Sequence, residues 1–141
     1  MNCEALMTKN IIFCLPDDTV IKAARMMRDS NIGSIPIVDN EENRKLMGII
    51  TDRDLAIRVV GEGGDVKTIK VKEVMTKNMV TCHAMDDTKK ALDLMADHQL
   101  RRIPVIDDNL RVVGIIAQAD IATRLNQPEK TARVLKEISE P

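Results

Sequence analysis

The hydrophobic positions in the first half of the chain change their period several times, and each period predicts an element. Between residues 20 and 29 the apolar side chains recur at helical spacing and predict a helix with one buried face. The β-branched runs at 35–38 and 46–50, which a polar loop separates, predict a pair of buried strands. A short strand at 11–14 and a second helix at 52–60 complete a β-α-β-β-α unit.

The second half of the chain repeats the first. Met7-Thr8-Lys9-Asn10 recurs as Met75-Thr76-Lys77-Asn78, at an offset of 68 residues. A loop shortened by two residues changes the offset to 66, which aligns Gly48-Ile49-Ile50 with Gly114-Ile115-Ile116. An offset kept over so many positions indicates a tandem duplication. The same order of elements is therefore predicted at 79–82, 88–98, 103–106, 112–116 and 118–125.

The duplication sets the expected domain organisation. The glycine-rich stretch Gly61 to Asp65 tolerates positive φ and opens a linker, and apolar residues at helical spacing after Pro128 predict a terminal helix at 129–138. A repeat of fewer than ~60 residues is marginal alone, so the two repeats are expected to pack sheet against sheet around one core. The expected divisions are repeat 1 at 4–60, a linker at 61–72, repeat 2 at 73–126 and the terminal helix within 127–141.

Composition and charge remove several classes of function. The chain has 21 Lys+Arg against 22 Asp+Glu, one Phe and no Trp or Tyr, so it lacks both a basic field and the stacking platforms that favour nucleic acids. Its apolar runs fall far below the ~20 residues of a membrane span, and its start lacks the pattern of a secretory signal. Three widely spaced cysteines are a poor disulfide framework. We therefore expect a cytoplasmic protein with no membrane or nucleic-acid partner.

The segment Thr51-Asp52-Arg53-Asp54 carries the most informative chemistry of the first repeat. It places a hydroxyl at a predicted strand end, followed by two carboxylates and a guanidinium in the first turn of a helix. Such a turn has free N–H groups and a dipole that favours anions, so a phosphate fits there with Thr51 and Arg53 as donors. Asp54 would accept hydrogen bonds from a vicinal diol. The alternative interpretation makes Thr51 a simple N-cap and Asp52 an ordinary first-turn acid.

The second repeat differs at the equivalent segment. Ala117-Gln118-Ala119-Asp120 keeps the diol-type acid and loses both the hydroxyl and the arginine. Arg101 and Arg102 enter instead just before the strand predicted at 103–106, where two guanidinium groups can clamp a phosphate. An alternative is that they are a solvated pair bridging to Asp107 or Asp108. The two repeats therefore do not predict equivalent sites.

These paired units, with their Ile-Pro-Ile-Val-Asp and Gly-Ile-Ile-Thr-Asp-Arg-Asp segments, resemble the tandem CBS-domain proteins, or Bateman modules, of the small stand-alone bacterial and archaeal kind. The resemblance covers the chain from about Glu4 to its last helix. It implies an α/β (α+β) fold in which two β-α-β-β-α repeats form a disc-like module, usually a homodimer. It further implies that the cleft between the repeats binds an adenine nucleotide or a related adenosyl ligand.

The resemblance also assigns residues to that ligand. Asp54 and Asp120 match the acid that contacts the ribose, and Thr51 matches the hydroxyl on the phosphate side. The segment from Gly33 to Ile35 matches the backbone that lies against the base, whereas Ala117 departs from the usual Ser or Thr, so the site of repeat 1 is favoured. The predicted ligand-binding residues are Ile11, Gly33, Ser34, Ile35, Thr51, Arg53, Asp54, Leu100, Arg101, Arg102 and Asp120.

Three hypotheses of function follow. The first is a non-catalytic sensor that requires no cofactor, binds AMP, ADP, ATP or S-adenosylmethionine, forms a homodimer and signals to an unidentified effector protein. The second is a dimeric interaction scaffold with degenerate pockets. The third is an enzyme or redox protein that uses Cys14 or Cys82, although no catalytic set of residues is apparent. Cys14, Cys82 and His83 lack the close spacing of a metal site, so no metal is expected.

Overall fold

The computed structural model describes residues 1–125 and 128–140. The chain has a mixed α+β fold. Its elements, in chain order, are α1 (Cys3–Leu6), α2 (Val20–Ser30), β1 (Ser34–Val38), β2 (Leu46–Thr51), α3 (Asp52–Asp54) with a π-helical continuation (Leu55–Val60), α4 (Val71–Val74), β3 (Cys82–His83), α5 (Thr88–Asp97), β4 (Arg102–Ile106), β5 (Val112–Ala117), α6 (Gln118–Arg124) and α7 (Pro128–Ser139). None of the described helices is both long and apolar enough to cross a membrane.

The chain divides into two compact units that do not follow the order of the sequence. The repeat-1 unit comprises residues 12–79, and the repeat-2 unit joins residues 1–11 to residues 80–141. The domain boundaries expected from the sequence follow the two repeats, whereas the two compact units are defined by which residues contact one another. The short segment that opens each sequence repeat therefore belongs to the compact unit built on the other repeat.

The repeat-1 unit is built on α2 and an antiparallel pair of strands. Helix α2 begins after Thr19, whose hydroxyl accepts the N–H of Lys22 at 3.3 Å, and this confirms the helix predicted at 20–29. Strands β1 and β2 pair with Ile35 opposite Ile50, as the β-branched runs predicted. The core of this unit contains Cys14, Val20, Ala23, Met27, Ile35, Ile37, Ile50, Val59, Val71 and Met75.

Two predictions for this repeat need correction. The strand predicted at 11–14 is wrong, because only Cys14 forms a bridge, parallel to Ile37. The chain turns away after this bridge, since Pro16 has no N–H and the Leu15 N–H donates to the Asp18 carboxylate at 2.8 Å. The helix predicted at 52–60 begins at the right residue but widens after Asp54 into π-helical turns, in which the Gly61 N–H donates to Ala56 at 2.8 Å.

The repeat-2 unit contains a three-stranded sheet in the order β3-β4-β5. Strand β3 is parallel to β4, and β4 and β5 pair antiparallel with Ile103 opposite Ile116. The strand predicted at 79–82 is observed only at 82–83, so it is shorter and begins three residues later than predicted. The terminal helix predicted at 129–138 is confirmed as α7, which buries Val134 and Ile138 and packs on α5. Proline at its first position fits, because a helix leaves its first N–H groups unpaired.

In each unit a segment that is remote in the sequence, residues 75–76 or residues 7–8, crosses a strand that contains a repeated glycine. Thr76 forms a two-bond bridge with Ile49 next to Gly48, and Thr8 forms the same bridge with Ile115 next to Gly114, with N–H···O distances of 2.8–3.0 Å. A β-carbon on either glycine would lie 3.0 Å from the carbonyl oxygen of Thr76 or Thr8. Glycine is therefore required at both positions because the backbone of the crossing segment passes too close to leave room for a side chain.

Candidate functional site

In the repeat-1 unit, the start of β1 and the end of β2 bring several predicted ligand residues together. Ser34 lies opposite Thr51 in the strand pair, and the Asp52 N–H donates to the Gly33 carbonyl at 2.8 Å. A β-carbon on Gly33 would lie 2.9 Å from a carboxylate oxygen of Asp52, whose exposed side chain can move aside, and repeat 2 makes the equivalent backbone contact at Arg101, whose carbonyl accepts the Gln118 N–H at 2.9 Å. Hydroxyls, a backbone turn and the first residues of α3 therefore converge at one end of the strand pair.

Thr51 and Asp54 cap α3 reciprocally. The Thr51 hydroxyl accepts the Asp54 N–H at 3.0 Å, and an Asp54 carboxylate oxygen accepts the Thr51 N–H at 3.0 Å. This is a capping box, and it satisfies two N–H groups at the start of the helix. In this structure Thr51 is thus an N-cap, as the alternative interpretation of the sequence proposed.

Asp54 also holds a segment that is remote in the sequence. Its carboxylate oxygens lie 3.2 and 3.3 Å from the hydroxyl of Thr76, which donates to them. Arg58, one turn further along, places Nε 3.7 Å from the Asp54 carboxylate and donates from Nη1 to the carbonyls of Val74 and Met75 at 3.2 and 3.3 Å. Because Asp54 is only 8% exposed, these contacts form a nearly buried acid-hydroxyl-arginine network.

The repeat-2 unit contains the same network. The Thr8 hydroxyl donates to Asp120 at 2.9 Å, and the other Asp120 oxygen accepts the Ala117 N–H at 2.8 Å. Arg124 lies 3.8 Å from Asp120 and donates to the carbonyls of Leu6 and Met7 at 3.4 and 2.9 Å. In both repeats, therefore, a buried aspartate binds the threonine of the segment that crosses the strand: Asp54 binds Thr76, and Asp120 binds Thr8.

Sequence reasoning missed the four partners of the two acids. Arg58 and Arg124 follow their acids by four residues, a helical spacing that brings the two side chains together. Thr8 and Thr76 lie in the repeated Met-Thr-Lys-Asn segment, which was used only to detect the duplication. A search for side chains repeated with the acids would have found all four.

The network limits how Asp54 can meet a ligand. An ionised carboxylate has roughly four acceptor positions, and Asp54 already receives the Thr51 N–H and the Thr76 hydroxyl. A ribose diol brings two further donors. It can bind by sharing the carboxylate or by displacing the hydroxyl of Thr76.

Three predicted phosphate-binding cations have no acidic partner among the described residues. Arg53 and Arg101 are exposed and Arg102 is half-buried, and within residues 1–125 and 128–140 none of them forms an ion pair. The predicted alternative, a bridge from Arg101 or Arg102 to Asp107 or Asp108, is therefore not found in this part of the chain. The described residues leave these guanidinium groups available to an anion.

The predicted apolar contacts are unequal. Ile35 has no exposed surface and fills the core of the repeat-1 unit, so its side chain does not form an open wall for a base. Ile11 and Leu100 are partly exposed. By unit, the predicted residues Gly33, Ser34, Ile35, Thr51, Arg53 and Asp54 lie in the repeat-1 unit, whereas Ile11, Leu100, Arg101, Arg102 and Asp120 lie in the repeat-2 unit.

The three cysteines are buried free thiols. Burial, reinforced by the charge of Asp18, raises the pKa of Cys14 to about 11, so this group is a thiol at neutral pH. Over the ranges 1–125 and 128–140 no three His, Cys, Asp or Glu side chains are grouped so that they could hold a metal ion.

Comparison with known proteins shows what the chain is similar to. The CBS domain profile matches residues 3–61 and 71–127. The CBS domain-containing protein YhcV of Bacillus subtilis is 38% identical over 133 residues, which cover 94% of this chain and 91% of that protein.

Two solved structures extend the comparison. Hypoxic Response Protein I with two coordinated zinc ions is 33% identical, with a TM-score of 0.77 over 89% of this chain and 99% of its own. The CBS domain pair of protein MJ0100, in complex with 5′-methylthioadenosine and S-adenosyl-L-methionine, is 30% identical, with a TM-score of 0.71 over 86% of this chain and 93% of its own.

Proposed function

Because this chain belongs to the CBS domain family, we propose that it is a non-catalytic regulatory module that binds an adenosyl nucleotide and signals to a separate partner protein. The observation that carries the proposal is that nearly buried Asp54, exposed Arg53 and the strand-end hydroxyls of Ser34 and Thr51 lie at one end of the strand pair of the repeat-1 unit. The structure of a related CBS pair with two adenosyl ligands supports this ligand class. AMP, ADP, ATP and S-adenosylmethionine are the candidates.

Each part of such a ligand has a chemical counterpart in the repeat-1 unit. The ribose diol would donate to Asp54, and phosphate oxygens would accept from Ser34, Thr51 and the exposed guanidinium of Arg53. The repeat-2 unit has Ala117 and Ala119 at the positions of Thr51 and Arg53, and it has cations at Arg101, just before β4, and at Arg102, the first residue of β4. We therefore place the principal site on the residues of repeat 1.

Calorimetric titration with AMP, ATP and S-adenosylmethionine tests the proposal. We expect saturable binding of one of them, at least ~10-fold weaker in Asp54→Asn, because an amide cannot accept as many hydrogen bonds as a carboxylate. Asparagine keeps the shape of the side chain and one oxygen for the Thr51 N–H, which protects the fold. The matched variant Asp120→Asn alters the equivalent acid of repeat 2 and is expected to bind normally. Absence of heat and of any thermal shift with all three ligands would contradict the proposal.

The structure also favours a second candidate, a dimeric scaffold whose pockets bind no physiological nucleotide. Asp54 and Asp120 are 8% and 7% exposed, and each is already engaged by a backbone N–H and a hydroxyl of its own unit. Under this alternative the acids serve only to anchor the crossing segments. The titration separates the two candidates, because a scaffold dimerises normally and binds none of the three ligands.

Dimerisation is part of both candidates and has its own test. Ile57 and Val60 protrude from the π-helical segment with 50% and 69% of their surfaces exposed, and we propose that a second copy of the chain covers them. Light scattering is expected to give twice the 15.8 kDa mass of one chain. Ile57→Lys with Val60→Lys should shift the mass toward one chain, whereas Met85→Lys, at an exposed position of the other unit, should leave it unchanged. A monomeric parent protein would refute this surface.

A further inference from the structure

Two of the three cysteines meet in the core of the repeat-2 unit. Cys3, on α1, and Cys82, on β3, belong to the same buried cluster, in which the Cys3 thiol donates to the carbonyl of Asp87 and the Cys82 thiol donates to the carbonyl of Pro104, both at 3.9 Å. The backbone fixes this meeting, because the Cys3 N–H donates to Asp86 at 2.9 Å and the Glu4 N–H donates to Ala84 at 3.0 Å. The wide spacing of these cysteines in the sequence hides their proximity.

The repeat-1 unit provides an internal comparison. At the offset of 68 residues the equivalents of Cys3 and Cys82 are Val71 and Cys14, and both of these side chains are fully buried. Cys14 directs its thiol to the sulfur of Met26 at 3.7 Å. A valine therefore fills the position of Cys3 in the other unit, so packing alone does not require a cysteine there.

The two thiols differ in reactivity. Interaction with the Cys82 thiol lowers the pKa of Cys3, whereas interaction with Cys3 and burial raise the pKa of Cys82. A thiolate is the nucleophile in thiol oxidation, so Cys3 reacts first. Cys3 also lies on a four-residue helix, and such short elements open locally at low cost in free energy.

We propose that Cys3 and Cys82 are a peroxide-oxidisable pair that closes to an intramolecular disulfide. The Cys3 thiolate attacks hydrogen peroxide, which leaves a sulfenic acid on Cys3 and releases hydroxide. The Cys82 sulfur then attacks the Cys3 sulfur, forms the S–S bond and expels the hydroxyl group as water. In sum, two thiols and one hydrogen peroxide give one disulfide and two waters.

The disulfide would fasten α1, and with it the segment that carries Thr8, to the strand β3. It closes a loop of roughly 80 residues, and a loop of that length restricts the unfolded chain strongly. The oxidised protein is therefore expected to melt at least ~5 °C higher than the reduced protein. This inference does not depend on nucleotide binding.

Peptide mapping tests the proposal directly, because trypsin places the three cysteines in three different peptides: 1–9, 10–22 and 78–89. The folded protein is treated with hydrogen peroxide, blocked with N-ethylmaleimide under denaturing conditions and digested without reduction. We expect peptide 1–9 linked to peptide 78–89, a loss of two hydrogens from the intact mass, and Cys14 alkylated. Links that involve Cys14, links only between chains, or sulfinic acid without a link would overturn the proposal.

Three variants complete the test. Cys3→Val copies the residue that repeat 1 uses at this position, so it should fold, lose the link and lose the oxidation-dependent rise in melting temperature. Cys3→Ser repeats the test in a second background. Val71→Cys places a thiol opposite Cys14 in the repeat-1 unit and is expected to create a second oxidisable pair there. A melting rise that persists in both Cys3 variants would contradict the assignment.

Discussion

Asp54→Ala is expected to lower the free energy of unfolding by about 3 kcal/mol. The substitution removes the acceptor of the Thr51 N–H and of the Thr76 hydroxyl, and both donors lie in a poorly solvated part of the repeat-1 unit. Arg58 loses its counter-charge as well, but its side chain is half exposed, so that ion pair contributes little by itself. Urea unfolding followed by circular dichroism measures the difference.

The neighbouring acid provides a matched control for this prediction. Asp52 lies in the same turn and is exposed, and its carboxylate accepts the Arg53 N–H at 2.8 Å. Asp52→Ala is expected to change stability by less than ~0.5 kcal/mol, as is usual for surface positions. Thr76→Val removes only the hydroxyl from the network and is expected to cost about 1 kcal/mol.

The sign of the Asp54→Ala effect also bears on function. A loss near the expected value shows that the acid anchors the crossing segment. A gain in stability would contradict that role and would indicate a carboxylate kept for a ligand at the expense of the fold. Measuring Asp120→Ala in parallel asks the same question of the repeat-2 unit, where the acid receives Thr8 and Ala117.

Gly114→Val is the second substitution with a large expected effect, a loss of about 2–3 kcal/mol. A β-carbon at this position would approach Met7 Cγ to 2.7 Å and the carbonyl oxygen of Thr8 to 3.0 Å. The methionine side chain can move, but the carbonyl belongs to the backbone bridge with Ile115. We expect residues 7–8 to detach from β5, so that trypsin cleaves faster after Lys9.

A double variant separates the two contacts at Gly114. Met7→Ala removes the side-chain conflict and leaves the approach of Thr8, so it should restore only part of the stability of Gly114→Val. Full restoration would show that the backbone approach is not the constraint. Gly48→Val is the equivalent change in the repeat-1 unit, where cleavage after Lys77 should accelerate while cleavage after Lys9 stays slow.

Local periodicity was sufficient to predict α2, the paired strands of both repeats and α7. These elements bury one face along their own length, so their apolar spacing records the burial directly. It failed for α1 and α4, which have four residues each and carry too few positions to show a period. It also failed for the strand at 11–14, where turn chemistry after Cys14 outweighed an apolar run.

For the candidate site, too, the sequence revealed the local features and missed the contacts between distant residues. Thr51 and Asp54 were found from the sequence because a capping pair and its chemistry lie within four residues. The contacts of Asp54 with Thr76, and of Asp120 with Thr8, join residues 22 and 112 positions apart, and nothing local in the sequence predicts such pairs. The contact between Cys3 and Cys82 is hidden for the same reason.

The sequence by itself determined the duplication and the family, because both are recorded in residue spacing and in short motifs. Only the tertiary structure showed which compact unit contains the first residues of each repeat, why positions 48 and 114 are glycines, and which side chains contact Asp54 and Asp120. Those features depend on backbone segments that are distant in the chain and meet at hydrogen-bonding distance. Side-chain type and local period do not encode that distance; only the folded path of the chain sets it.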